Sequence, residues 1–191
     1  MAACGQLKSA ATKPTRAELD RIAGAIHAFG GEVLKFIGDE VMAIFPYETE
    51  EEAKSASYNA LLAARDTLKK IGEINQQKTC MVTPDMSVGI ALHAGDVFYG
   101  NVGSETRLDF TVVGPAVNLA ARIAELAKDL GREVLVSDNV AGLMGCRSGL
   151  FGSYHVKGFD DPVSVYSPNL TSGEKFDNCP DMTVARALEE N

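Results

Sequence analysis

A small set of residues combines side-chain type and spacing in a way that could bind and act on phosphates. Asp39 follows Gly38 between two apolar runs, so its carboxylate would stand at the tip of a tight turn. Lys35 lies four positions earlier, and on a strand that even spacing puts both side chains on one face. Asn118 and Arg122 are four apart, which on a helix places them on a shared face. Thr111, three residues before Gly114, has a hydroxyl that can donate or accept, and Lys157 is a further cation in Val156-Lys157-Gly158. Each has a simpler reading: a Gly-Asp turn, an edge-strand lysine that discourages aggregation, a wet helix face and a surface lysine. The alternatives are therefore an anion-binding constellation or a set of unrelated surface residues.

The elements that must position these residues are legible. Thr15 to Ala28 has Leu19, Ile22, Ala23 and Ile26 at helical spacing and stops at Gly30-Gly31. Two apolar runs from Glu32 to Phe45, broken at Gly38-Asp39, predict a hairpin. Thr49 to Ile71 opens acidic at Glu50, Glu51 and Glu52, closes basic at Lys69 and Lys70, and carries an apolar face, as an amphipathic helix aligned with its dipole should. A polar connector over 72–85 leads to an expected strand pair within Met86 to Val102. Leu108 to Val113 reads as a strand, Gly114-Pro115 as a turn, and Ala116 to Leu130 as a helix. Short strands are expected at 134–136, 154–156 and 163–166, followed by a polar tail.

Composition narrows the function class. The chain has 191 residues, 18 basic against 26 acidic, for a net charge of -8. With a pI near 4.9, a broad cationic surface for nucleic acid is excluded, although a local basic pocket is not. The uncharged run Phe110 to Ala121 falls well short of the roughly 20 apolar residues that a membrane helix needs. No apolar signal segment is visible near the start, so a cytoplasmic location is expected. Cys4, Cys80, Cys146 and Cys179 form no metal-binding spacing and read as reduced thiols. His93 in an apolar strand reads as a hydrogen-bonded structural histidine. Gly95, Gly100 and Gly103 read as backbone requirements, since no helix N-terminus follows them to cradle a phosphate.

Three segments in order, Lys35-Phe-Ile-Gly-Asp39, His93-Ala-Gly-Asp-Val-Phe-Tyr-Gly-Asn-Val-Gly103 and Asp109-Phe-Thr-Val-Val-Gly-Pro-Ala-Val-Asn-Leu-Ala-Ala-Arg122, with Val156-Lys157-Gly158 as a fourth piece, resemble the class III nucleotidyl cyclase catalytic domain. The resemblance runs from about Ala17 to Tyr166. It implies an α/β (α+β) fold with a ferredoxin-like βαββαβ core and an added C-terminal strand hairpin. The implied organisation is an irregular segment over 1–14, the cyclase domain over 15–167 and a polar tail over 168–191.

By the same resemblance the reaction is ATP to 3',5'-cyclic AMP and pyrophosphate, with Mg²⁺ or Mn²⁺ as cofactor. Asp39 matches the second of two metal-binding aspartates, and Lys35 with Thr111 the pair that reads the purine. Asn118 would orient the ribose, Arg122 stabilise charge on the α-phosphate and Lys157 bind phosphate. Lysine rather than an acid at 35 favours adenine. A head-to-tail homodimer with composite sites is implied, Asp39 coming from one subunit and the remaining residues from the other. The sequence departs from the family in two places. Met1 to Pro14 has no acid and no alternating apolar run, so the first strand, with its metal aspartate, is expected to be missing. The chain would then be a truncated form or residues 2–12 a poor substitute. Ser87 stands near where many relatives place a phosphate-binding arginine. These departures keep open a non-catalytic nucleotide-binding or dimerisation module, a guanylate cyclase, or a relative with another product.

Overall fold

The computed structural model describes residues 2–9, 14–77, 84–104, 107–145, 150–168 and 170, with side chains left aside at 2–4, 6–9, 102–104 and 107–110. Helix α1 (Arg16–Ala28) starts at a capping box, in which Thr15 accepts from the Glu18 N–H and the Glu18 carboxylate accepts from the Thr15 N–H. Strands β2 (Glu32–Ile37) and β3 (Glu40–Pro46) form the expected hairpin. Helix α2 (Glu50–Gln77) runs past its expected end. The acidic cluster at its start has a local purpose: the Glu52 carboxylate accepts from the Glu48 and Thr49 N–H groups at 2.8 and 3.1 Å, which holds its pKa below the usual range.

Strands β4 (Val88–Gly95), β5 (Phe98–Ser104) and β6 (Arg107–Val113) precede helix α3 (Pro115–Asp129), and β7 (Val134–Ser137) follows it. A short helix α4 (Asp138–Leu143) comes next, capped by the Ser137 hydroxyl, and then strands β8 (Leu150–Tyr154) and β9 (Val163–Tyr166). Two expectations change here. The strands of the 86–102 region do not pair with each other, because β4 enters the large sheet while β5 pairs with β6. The strand expected at 154–156 lies at 150–154. Helix α4 escaped notice because six residues are too few to show a helical period.

The expectation that the first strand is missing is corrected. Residues Ala2–Ser9 form β1 in the centre of a seven-stranded sheet ordered β2-β3-β1-β4-β7-β9-β8, antiparallel to both β3 and β4. A central strand is covered on both faces and hydrogen-bonded on both edges, so it needs neither alternation nor large side chains. Ala2-Ala3-Cys4-Gly5 meets that lower requirement. Four of these strands, in the order β2-β3-β1-β4, give the ferredoxin-like core.

Helices α1, α2 and α4 cover one face, burying Ile22, Ile26, Ala60, Leu61 and Val140 against Val41, Phe45, Ile90 and Val136. Helix α3 covers the other, where Ile123, Ala124 and Ala127 meet Ala91, Leu135 and Val165. Its close approach depends on Gly95, where a Cβ would stand 2.9 Å from that of Ala116. Gly100 faces only the Phe98 ring at ordinary distance. Cys80, Cys146 and Cys179 lie outside the described residues, as does nearly all of the tail, and the Cys4 side chain is among those left aside.

Candidate active site

The residues singled out from the sequence are distributed over β2, β6, α3 and two turns. On β2, a bulge between Val33 and Lys35 brings Lys35 opposite Met42. Paired residues share a face, so Lys35 is turned toward the side on which Met42 and Ile44 pack with Val112 of β6 and Val117 of α3. Thr111 lies on β6, which adjoins β2. Its side chain is buried, and its hydroxyl has no hydrogen-bond partner within the described residues. A buried hydroxyl with no partner costs on the order of 1–3 kcal/mol, so such an atom marks a place where a ligand could supply one. Tyr99 of β5 ties the β5–β6 hairpin to β2 by donating to both Glu32 carboxylate oxygens at 2.9 and 3.0 Å. That hydrogen bond raises the phenol's pKa.

The buried face of α3 is made by Ala116, Val117, Ala120, Ile123, Ala124 and Ala127. At about 100° per residue, Asn118, Arg122 and Glu125 fall within roughly 60° of each other on the opposite side. Asn118 is exposed and Arg122 half-buried, and the Arg122 guanidinium donates to the Glu125 carboxylate at 2.8 Å. Glu125 is the polar neighbour that the sequence reading missed, although its i,i+3 spacing from Arg122 was a sufficient signal. Lys157 is exposed in the turn between β8 and β9, at the far edge of the sheet. Strands 4.8 Å apart put β9 roughly 24 Å from β2 along the sheet. Lys35 and Thr111 thus lie on adjoining strands, Asn118 and Arg122 on the outer side of α3, and Lys157 at the opposite edge of the sheet from β2.

Asp39 occupies the β2–β3 turn, half-buried and preceded by Gly38 at φ 66. The same-face relation expected between Lys35 and Asp39 does not hold as a strand argument, because β2 ends at Ile37. The register sets Lys8 of β1 opposite Glu40, next to this turn, and β1 contributes no carboxylate. Among the described residues no group of three or more His, Cys, Asp or Glu side chains could hold a metal ion. Among the described residues, a two-ion centre supplied by this chain alone does not fit the carboxylates present. Ser87 is exposed just before β4.

His93 is a structural histidine, as expected. It is buried on the α3 side of β4 with Nδ1 2.8 Å from the Ser137 hydroxyl, and burial pushes its pKa down to about 4. A cleft of about 740 Å³ opens beyond the Gly95 end of β4, lined by Tyr47, Glu50, Lys54, Asp96 and Asn139 among others. Burial and the nearby Asp96 charge raise the Tyr47 pKa. Ala94, Gly95 and Asp96 of the His93–Gly103 segment form part of its wall.

The family model described as the adenylate and guanylate cyclase catalytic domain matches residues 13–167. The chain belongs to that family, whose domains bind nucleotide, dimerise and generally use divalent metal ions. An adenylate cyclase of Anabaena cylindrica is 34% identical over 148 residues, covering 74% of this chain and 29% of the relative. The chain thus spans less than a third of that protein's length. Among solved structures, the adenylyl cyclase CyaB from P. aeruginosa gives a TM-score of 0.68 at 22% identity, covering 86% of this chain and 91% of the other. The guanylyl cyclase Cya2 gives 0.60 at 24% identity, with coverage of 86% and 90%. Both share the fold, one being an adenylyl cyclase and the other a guanylyl cyclase.

Proposed function

We propose that this chain is the nucleotide-gripping part of an adenylate cyclase, binding ATP and serving the formation of cyclic AMP and pyrophosphate. The observation that carries the reading is the buried Thr111 hydroxyl, without a hydrogen-bond partner among the described residues, on the strand adjoining β2, which bears Lys35. A hydroxyl and an ammonium offer an adenine edge a donor and an adaptable donor or acceptor. Asn118 then orients the ribose, Arg122 offsets charge on the α-phosphate, and Lys157 holds the remaining phosphates. In the reaction the ribose 3'-oxygen loses its proton and bonds to the α-phosphorus in line as the bond to the pyrophosphate oxygen breaks. Asp39 remains the candidate metal ligand, but no step is assigned to a metal here.

Phe36, Ile37, Phe98, Tyr99 and Val113 are exposed on β2, β5 and β6, next to the base-reading residues. Such a patch supports a homodimer, head to tail, in which Asp39 of one subunit faces the gripping residues of the other. No helix among the described residues is long and apolar enough to cross a membrane, and we assign the chain to the cytoplasm. A second reading, a nucleotide-binding module without catalysis, is favoured by the lack of a carboxylate on β1. The test is equilibrium binding of a fluorescent ATP analogue with ATP and GTP as competitors. ATP is expected to compete better than GTP, and Thr111→Val to reduce that preference; an unchanged preference would remove Thr111 from the base site. Light scattering with ATP and Mn²⁺ present tests the dimer, and monomer alone at high concentration excludes it.

A further inference from the structure

The outer ridge of α3 carries a contradiction in charge. A guanidinium suited to a phosphoryl group has a carboxylate in contact with it, three residues further along the same helix. The two side chains keep 35% and 43% of their accessible surface, so the pair stands open to an arriving ligand. A triphosphate entering along the ridge would meet Glu125 together with Arg122 and would compete with it for the same N–H groups.

We propose that Glu125 is the resting partner of Arg122: it holds the guanidinium along the ridge while the site is empty and yields it when a phosphoryl oxygen arrives. This rests on the nucleotide reading given above. Glu125 is a positioning residue, acting through Arg122. Its carboxylate reduces the conformational entropy that the guanidinium loses on binding but opposes the bound anion, so its net effect on affinity for phosphates is unfavourable. The opposition belongs to the phosphates, leaving the nucleoside unaffected.

The experiment compares wild type, Glu125→Gln, Arg122→Gln and the double variant, using a labelled non-hydrolysable ATP analogue in chelator, with pyrophosphate and adenosine as competitors. Glu125→Gln is expected to bind the analogue about two- to fivefold more tightly, the scale of an exposed ion pair. Pyrophosphate should gain similarly, adenosine should not change, and the gain should vanish in the Arg122→Gln background. A packing role would not separate phosphates from nucleoside. Equal or weaker binding by Glu125→Gln, or a gain that persists without Arg122, overturns the assignment. Should the glutamine variant not fold, Glu125→Ser supplies the same comparison. If the wild type binds the analogue and the variant gains nothing, only the Glu125 assignment falls, whereas binding by none of the proteins removes the nucleotide reading with it.

Discussion

The α3 side of the sheet and the β1–hairpin end place different demands on the sequence and meet them differently. Lys35 and Thr111 stand on strands β2 and β6, Asn118 and Arg122 on α3, and Lys157 in the turn between β8 and β9. At the other region one carboxylate, Asp39, occupies a turn beside a central strand that has none. The strand is structurally sound, since its backbone is paired on both sides. On the proposed reading, nucleotide grip and metal binding fall to different elements, so that one could be lost while the fold and the other persist.

The largest effect that could break this contrast is catalytic. The chain as it stands is expected to form cyclic AMP with Mn²⁺ at least about a hundredfold more slowly than a variant with a second carboxylate, since charge offset of this kind is worth several kcal/mol. Lys8→Asp, at the register position opposite Glu40, is the variant to assay. Robust turnover by the unaltered chain, abolished by Asp39→Ala, would show that one carboxylate suffices.

The next effect concerns the floor beneath α3. With His93 at about 4 in the folded protein and near 6.5 unfolded, the unfolded chain binds the extra proton between those values. Stability should be complete above pH 6.5 and fall by up to about 3 kcal/mol as pH drops toward 4, read by urea unfolding. His93→Gln should flatten that dependence, and an unchanged slope would dismiss His93 as its source. Smaller again is selectivity. Lys35→Glu with a compensating change at Thr111 should move the ATP-to-GTP affinity ratio by about tenfold toward GTP, with little change in melting temperature. The smallest effect sharpens the other side of the contrast. Gly5 lines a cavity of about 30 Å³ under β1, and a Cβ there would meet Leu92 at 3.6 Å. Gly5→Ala should stabilise the fold by about 0.5–1 kcal/mol in the same unfolding assay.

The elements flanking the motifs were legible because their patterns are strong: Leu19, Ile22 and Ile26 at helical spacing before Gly30-Gly31, the apolar hairpin runs, and Gly114-Pro115 opening the helical pattern of α3. Strand β1 was not, because alternation is a signature of half-buried strands and Ala2–Ser9 is held by backbone pairing to partners far along the chain. The β2 bulge was equally invisible, yet it decides which way Lys35 faces. Glu125 is legible from its i,i+3 spacing to Arg122, but it belongs to no motif, since it touches the guanidinium and not a substrate.

The central place of β1 bears on how the chain reaches its native state. Its β4 partners lie about eighty residues downstream, while α1, the β2–β3 hairpin and α2 are built from near neighbours. Closing so long a loop is slow, and until it closes β3 and β4 each present an unpaired inner edge to other molecules. If β1 docks after the rate-limiting barrier, Gly5→Ala will slow unfolding and leave the refolding rate nearly unchanged. Strand β1 would then be translated before every strand it pairs with and yet be among the last to find its place.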